Sequence, residues 1–312
     1  MIKYYIQDEN KLDSAEEAVP NCWVCMTAPK ESEIKLIAEK YSIEPEAIQA
    51  ALDADERSRI EVDDNFTMII VNVPTVKVDS EKELYDTIPL SIILVKDAVI
   101  TVCRQKTPIL TGFIENKVKS FSPAMRSRFV IQILYRTASL FLQYLRMIDK
   151  KSDEVENKLH KATKNHELIE LLKLEKSLVY FSTALRSNEL VLEKLTRGNF
   201  IKKYEEDTEL LEDAIIENKQ AIEMANIYSG ILSGMMGAFA SVISNNMNIV
   251  MKVLAIITIV MSIPTMIFSA YGMNIVGMPL TQNSIGFVII IAVSIIASVA
   301  AGIVLVKSKL FK

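Results

Sequence analysis

The chain carries no Asp, Glu, Lys or Arg in one long stretch near its C-terminus, VLAIITIVMSIPTMIFSAYGMNIVGMPLTQNSIGFVIIIAVSIIASVAAGIVLV (Val253–Val306). Its 35 basic and 39 acidic residues all lie outside this stretch, so a highly charged water-soluble part is joined to an apolar one. Two segments, Val250–Ala270 and Ile285–Val306, each reach the ~20 apolar residues that a membrane-spanning helix needs. The pattern excludes a purely soluble enzyme, and no other stretch is long and apolar enough to suggest a transporter with many spans.

The charges that flank the two spans predict the orientation of the protein in the membrane. Lys252 precedes the first span, whereas Lys307, Lys309 and Lys312 follow the second, and the loop between the spans has no Lys or Arg. The positive-inside rule then places both chain ends in the cytoplasm and the loop outside. We expect a plasma-membrane protein, and the net charge of −4 without a basic stripe argues against nucleic acid as a partner.

The first 122 residues alternate strand and helix patterns, which predicts a cytoplasmic α/β domain over 1–122. Short β-branched segments bounded by polar residues predict strands at Ile2–Ile6, Cys22–Met26, Phe66–Val73, Ile88–Val95 and Ala98–Cys103. Apolar residues at helical spacing predict helices at Glu31–Tyr41 and Pro45–Leu52. The carboxylate-rich stretch Asp53–Asp64 is interpreted as the separator between these helices and the next strand.

The chain becomes helical from Pro123 onward, because no proline follows until Pro264 and glycine is almost absent before Gly230. Long helices are predicted at Met125–Ala162, His166–Thr196 and Tyr204–Asn246, and the last can continue to Ala270. The predicted organisation is a helix bundle and stalk at 123–248, a first transmembrane helix at 249–274, an extracellular loop at 275–284, a second transmembrane helix at 285–306 and a basic tail at 307–312.

The first span carries a polar stripe. Two helices per chain cannot enclose a water-filled path, so a pore requires several chains. The stripe recurs at intervals of three, four and seven residues, which favours a lumen-facing side over lipid exposure; the alternative is hydrogen bonding between helices. Its members are Asn248, Met251, Thr258, Ser262, Thr265 and Ser269.

Two further features are predicted along the same helix. Pro264 predicts a bend or a free carbonyl at Val260. Small residues at Gly230, Gly234 and Gly237 predict a tightly packed neck below the span.

Tyr271-Gly-Met-Asn274 ends the first span, and with it the sequence resembles the CorA family of divalent cation channels. The resemblance implies a homopentamer in which the first spans line the pore and the second spans face lipid. It implies a selectivity filter made of Gly272, Met273 and Asn274. Met251 and Leu254 would then form an apolar constriction, with Asn248 at its cytoplasmic exit.

The resemblance also implies the substrate and its regulation. The transported ion is expected to be Mg²⁺, with Co²⁺ and Ni²⁺ as further substrates, and intracellular Mg²⁺ bound between neighbouring cytoplasmic domains would regulate the pore. Asp213 matches the stalk carboxylate of that regulatory site, and its partner is expected near Asp53. Two features depart from the family pattern. Ser262 stands where an apolar Met is common, and the loop after Pro279 lacks an acidic residue.

Two other functions stay open at this point. A Zn²⁺ transporter of the ZntB type is a sibling possibility, although Gly-Met-Asn rather than Gly-Ile-Asn argues against it. A membrane-tethered sensor or scaffold with a coiled stalk is a second alternative, but it needs neither the polar stripe nor the YGMN motif. No constellation of residues supports an enzyme, and no phosphate-cradling glycine loop is present.

Overall fold

The computed structural model describes residues 1–8, 11–79, 82–161, 165–202, 204–273, 278–280 and 285–308. The chain divides into two compact units, Met1–Met236 and Gly237–Lys312. The first unit combines a mixed β-sheet with helices on both of its faces. The second contains the apolar helices.

The sheet of the first unit has seven strands within the described residues, in the order β2-β1-β3-β7-β6-β5-β4. The pairing is antiparallel except between β3 and β7, which run parallel. The strands are β1 (Ile2–Asp8), β2 (Lys11–Ala15), β3 (Cys22–Thr27), β4 (Arg59–Val62), β5 (Phe66–Asp79), β6 (Lys82–Val95) and β7 (Ala98–Cys103).

The helices fall into short ones beside the sheet and long ones after it. The short helices are α1 (Glu31–Tyr41), α2 (Pro45–Gln49), which continues as a 3₁₀ turn over Ala50–Leu52, and α3 (Pro108–Ile114). The long helices are α4 (Arg126–Lys161), α5 (Asn165–Arg197), α6 (Glu205–Tyr271) and α7 (Gly286–Lys307).

Side chains of β3 alternate between two hydrophobic cores, as the two-residue period of a strand requires. Trp23 and Cys25 face the core that includes α3, α4 and α5. Cys22, Val24 and Met26 face the core formed with α1 and α2. Because β3 lies in the middle of the sheet and is covered on both faces, its sequence CWVCMT is apolar almost throughout.

Trp23 lies at the centre of an aromatic cluster that fastens α3 and α4 to the sheet. Its ring centroid is 5.1 Å from that of Phe129 and 6.3 Å from that of Phe113, both in edge-on geometry. Its indole N–H donates a hydrogen bond to Thr101 Oγ1 on the neighbouring strand at 2.8 Å, so the buried polar atom is satisfied.

The predicted α/β domain, stalk helix and two apolar C-terminal helices are confirmed, and three segments correct the detail. Asp53–Asp64 is not only a separator, because β4 lies inside it. Strand β2 and helix α3 were not predicted. Both β2 and β4 are edge strands of only five and four residues, so a two-residue alternation is too short there to mark a strand, although Ile60 and Val62 of β4 do alternate with charged residues.

The second unit holds the C-terminal part of α6 and the whole of α7. Both helices are long and apolar enough to cross a membrane. Helix α6 is continuous through Pro264. Along α7, the small residues Ser294 and Ser298 are buried, and a Cβ atom placed on Gly302 would lie 3.5 Å from Cγ2 of Val260 in α6. Gly302 of α7 therefore lies against Val260 of α6.

Candidate functional site

The polar stripe of α6 occupies one side of the helix. With 3.6 residues per turn, Asn248, Met251, Leu254, Thr258, Ser262, Thr265 and Ser269 fall within an arc of about 120°. Met251 and Leu254 are more than half exposed, Thr258 and Thr265 are also exposed, and Ser262 is half-buried. No residue of the described chain covers this side of α6 extensively.

The opposite side of α6 faces α7. Ile256, Val260, Ile263 and Ile267 recur at four- and three-residue steps and are half-buried, and Val260 is the residue that approaches Gly302. The second apolar helix therefore packs behind the polar stripe and leaves it uncovered. In a bilayer, a polar stripe is stable only against water or against other helices.

Hydroxyl groups on the stripe use their protons within their own helix. Thr258 Oγ1 donates to the Leu254 carbonyl at 2.8 Å, Ser262 Oγ to the Ile259 carbonyl at 2.8 Å, and Thr265 Oγ1 to the Met261 carbonyl at 3.0 Å. A hydroxyl oxygen keeps acceptor capacity after it has donated its proton. Because water molecules around a cation point their hydrogens outward, such oxygens are suitable partners for a hydrated cation.

The stripe continues below the apolar segment as a regular seam of small and polar residues. Steps of four and three alternate without interruption along α6 through Gly230, Gly234, Gly237, Ser241, Ser244, Asn248, Met251, Ala255, Thr258, Ser262, Thr265 and Ser269. A 3.5-residue repeat keeps one side of a helix at the axis of a left-handed supercoil. The repeat also includes Ser241, Ser244 and Ala255, and it places Leu254 beside the seam.

The glycines of this seam have open space around them. A Cβ atom added to Gly230, Gly234 or Gly237 would meet no atom within 4 Å outside the helix's own backbone, among the residues described. Ser241 Oγ donates to the Gly237 carbonyl at 3.0 Å, so that hydroxyl is also turned back onto the helix. The neck therefore presents a flat surface on which another helix can pack at short distance.

The predicted filter lies where α6 ends. The N–H of Gly272 donates to the Phe268 carbonyl at 2.9 Å and to the Ser269 carbonyl at 3.2 Å, and the N–H of Met273 donates to the Ala270 carbonyl at 3.3 Å. The side chain of Met273 is exposed. Asn274, the third predicted filter residue, lies outside the described residues, as does most of the predicted loop.

The two carboxylates predicted for regulation are both exposed and are not brought together by the structure. Asp213 lies on α6, and Asp53 follows the 3₁₀ turn, where its Oδ1 accepts a hydrogen bond from the Asp55 N–H at 3.1 Å. Across the described residues, no group of three or more His, Cys, Asp or Glu side chains is placed to hold a metal ion.

Two polar contacts that were not predicted join α6 to α4, one at the first turn of α6 and one further along it. Arg128 Nη1 lies 3.6 Å from Asp207 Oδ1 and 3.7 Å from Glu206 Oε2. Burial raises the pKa of Asp207, and the Arg128 charge partly opposes that shift. Further along, burial and the neighbouring Asp153 raise the pKa of Asp149, which accepts a hydrogen bond from the Tyr228 hydroxyl. No sequence signal marks these pairs, because their partners are far apart along the chain.

Comparisons with known proteins agree over nearly the whole chain. A family model described as CorA-like Mg2+ transporter protein matches residues 20–307. The cobalt/magnesium transport protein CorA of Methanocaldococcus jannaschii is 28% identical over 294 residues, which cover 92% of this chain and 91% of that protein. The protein of the same name from Thermotoga maritima is 22% identical over 306 residues, covering 96% of this chain and 86% of that protein.

The solved structures show the same likeness in three dimensions. The complete structure of the CorA magnesium transporter from Methanocaldococcus jannaschii superposes with a TM-score of 0.81 at 25% identity. The match covers 99% of this chain and 98% of that one. The α/β domain, the long helix and both apolar helices are therefore all included in the comparison.

Proposed function

The chain belongs to the CorA-like Mg²⁺ transporter family, and on that premise we propose that it is a channel for the passive influx of hydrated divalent cations through a homopentameric pore. The family consists of transporters rather than enzymes and is associated with Mg²⁺ and Co²⁺ transport. The finer proposal is carried by one observation: the polar stripe of α6 lies opposite α7, and no described residue covers it extensively.

The driving force in this proposal is the membrane potential. Moving one elementary charge across the membrane gains ~2.3 kcal/mol per 100 mV, and a divalent ion gains about twice that amount. No ATP-binding loop is needed for influx into a cell whose interior is negative. The location that follows is the plasma membrane, with the chain termini in the cytoplasm and α7 facing lipid.

Selection in this proposal acts on the hydrated ion. Mg²⁺ loses its water reluctantly, so a ring of neutral amide and carbonyl oxygens from Gly272, Met273 and Asn274 would bind the water shell and not the bare ion. Weak outer-shell binding also permits release, which conduction requires. Deeper in the pore, Thr265 and Thr258 would offer further acceptor oxygens, and Met251 with Leu254 would supply the apolar constriction.

Mg²⁺ would also act as the regulator of this pore. We place Asp213 of one copy near Asp53 of its neighbour, where the two carboxylates would repel each other unless a divalent ion lay between them. Both side chains are exposed and available to a second copy. Loss of the ion at low intracellular Mg²⁺ would loosen the contact between copies and free the stalk helices to move.

Ion flux into proteoliposomes tests the proposal. Wild type should admit Mg²⁺ and Co²⁺ without a pH gradient, and Asn274→Ala should abolish the flux while the oligomer, measured by native mass spectrometry, stays intact. Zn²⁺ flux that depends on a pH gradient would instead support a transporter of the ZntB type. If no divalent ion enters under any condition, the chain is a scaffold and the proposal is wrong.

Assembly has its own test at the neck. Gly234→Leu places a bulky side chain in the seam and should prevent close packing of the stalks, so the pentamer should dissociate in mild detergent. Ile231→Leu, an exposed site one turn earlier on α6, is the matched control and should leave the assembly unchanged. A stable wild-type monomer or dimer would contradict the pentamer.

A further inference from the structure

Arg136 of α4 is a half-buried cation without an ion-pair partner in the described chain. No Asp or Glu lies within ion-pair distance of it among the described residues, and none of its N–H groups donates to another described residue. Its Nε atom is fully buried. Burial lowers the pKa of this guanidinium.

Other arginines near the start of α4 have protein partners. The Arg126 guanidinium donates to the backbone carbonyls of Val95 and Lys96. Arg128 pairs with the carboxylates at the beginning of α6. The missing partner of Arg136 is therefore a particular feature of its position and not a general property of this helix.

The guanidinium of Arg136 is held in place by α3. Its central carbon lies 5.6 Å from the centre of the Phe113 ring, which is a cation–π distance. Gly112 lies directly against it, since a Cβ atom at that position would overlap the guanidinium. The charged group is thus fixed before any ligand arrives, which lowers the ordering cost of binding.

A cavity of about 270 Å³ opens beside this fixed cation. Arg136 forms part of its wall together with Tyr135, Ser139 and Gln143, which follow one side of α4 and can all donate hydrogen bonds. Apolar side chains of α3 and α4 complete the wall. A fixed guanidinium, two hydroxyl groups and an amide around a small cavity suit an anion with several oxygen atoms.

We propose that this cavity binds an oxyanion, a carboxylate or phosphate group, with Arg136 as its principal ligand. Two sources can supply the same chemistry: a free small anion, or a carboxylate side chain of a second copy of this chain. Neither the ion pathway nor the predicted regulatory carboxylates take part in this site, so it stands independently of the proposed function.

Isothermal titration of the full-length protein in detergent tests the site, with inorganic phosphate and acetate as probes and chloride at matched ionic strength as the baseline. Arg136→Met removes the charge, and Arg146→Met, an exposed arginine further along α4, is the control. For a free anion, wild type should bind phosphate or acetate saturably, the first variant should bind at least tenfold more weakly, and the control should stay within twofold.

The second source gives a different result in the same proteins. If a neighbouring copy supplies the carboxylate, wild type should bind neither probe. In sedimentation experiments, Arg136→Met should dissociate at a protein concentration at least tenfold higher than wild type does. Arg146→Met should dissociate at the same concentration as wild type. Wild type that binds no probe, together with normal association of Arg136→Met, would overturn the proposal. Binding by Arg136→Met at wild-type strength would overturn it as well.

A folding control accompanies both measurements. Trp23 lies against Phe113, so its emission spectrum reports whether the wall of the site is intact. If Arg136→Met is misfolded by this criterion, Arg136→Lys replaces it, because lysine keeps the charge but loses the planar fork. The lysine variant should bind the probe, or associate, at least fivefold more weakly than wild type, and equal behaviour would contradict the proposal.

Discussion

Asn188 of α5 acts as a substitute strand partner just before β4 begins. Arg59, the first residue of β4, pairs with Ile70, so Asn72 of β5 lies beyond the reach of β4. The Asn188 amide fills the gap: its Oδ1 accepts from the Asn72 N–H at 2.9 Å, and its Nδ2 donates to the Asn72 carbonyl at 2.8 Å. Oδ1 also accepts from the Ser58 hydroxyl at 2.8 Å. Asn188 is 2% exposed.

Asn188→Ala should therefore destabilise the first unit by about 2–4 kcal/mol. The carbonyl of Asn72 would lose its bond from Nδ2, at a cost of ~1–3 kcal/mol for an unsatisfied buried group. The N–H of Asn72 keeps a second, longer contact to Ser58 Oγ at 3.2 Å, so its loss is about 1 kcal/mol. Asn188→Asp should cost more, because a buried carboxylate would face the Asn72 carbonyl.

Equilibrium unfolding of the full-length protein in guanidinium chloride measures this effect at one fixed protein concentration in detergent. Trp23 is the only tryptophan and is fully buried in the first unit, so its emission reports the unfolding of that unit. Asn226→Ala is the matched control, because this exposed amide has only long contacts of 3.4 and 3.5 Å, and its removal should cost less than about 0.5 kcal/mol. A free energy of unfolding for Asn188→Ala within that same margin of wild type would refute the reasoning.

Three further predictions concern titration, permeation and regulation. Because the pKa of Asp149 is raised in the folded state, its protonated form is favoured there. Wild type should therefore lose stability relative to Asp149→Asn as the pH rises through the raised pKa. A difference in the free energy of unfolding between the two proteins that stays constant from pH 3 to 8 would contradict this. Thr265→Val keeps the volume but removes the acceptor oxygen. It should lower Mg²⁺ flux about fivefold, since one hydrogen bond is worth ~1 kcal/mol, whereas Thr183→Val on α5 should not change the flux. Asp213→Lys should resist protease in Mg²⁺-free buffer, where wild type and Glu212→Lys should become cleavable; equal digestion of all three with and without Mg²⁺ would refute the sensor.

Much of the architecture could be predicted because it depends more on local sequence patterns than on contacts between distant residues. The lengths of α4 and α5 follow from the absence of proline and glycine over long stretches. Helix α6 contains Pro264 and several glycines, yet it begins and ends within one residue of the range expected from Tyr204 to Ala270. The strands in the middle of the sheet were found for a similar reason: both of their faces are buried, so they are apolar and β-branched along their whole length.

Edge strands and short helices were less visible in the sequence. KLDSA of β2 and RIEV of β4 are polar on their exposed sides, and each is held by one neighbouring strand. Helix α3 starts at Pro108 after Thr107, whose side chain accepts from the Leu110 N–H, a capping signal that is easily missed in a segment of seven residues. Local propensity is weak at such places, and pairing or packing decides their structure.

The sequence by itself determined the division into charged and apolar parts, the two spans and the polar stripe of α6, because each depends on composition or on helical period alone. Only the tertiary structure decided that α7 packs on the side of α6 opposite the stripe, and that Asn188 completes the edge of β5 from a position 116 residues away. It alone also decided that Arg136 is half-buried against Gly112 and Phe113 without an ion-pair partner among the described residues. The physical reason is that the hydrogen bonds and charge partners of a side chain depend on which distant elements pack against it, and the local sequence does not specify those contacts.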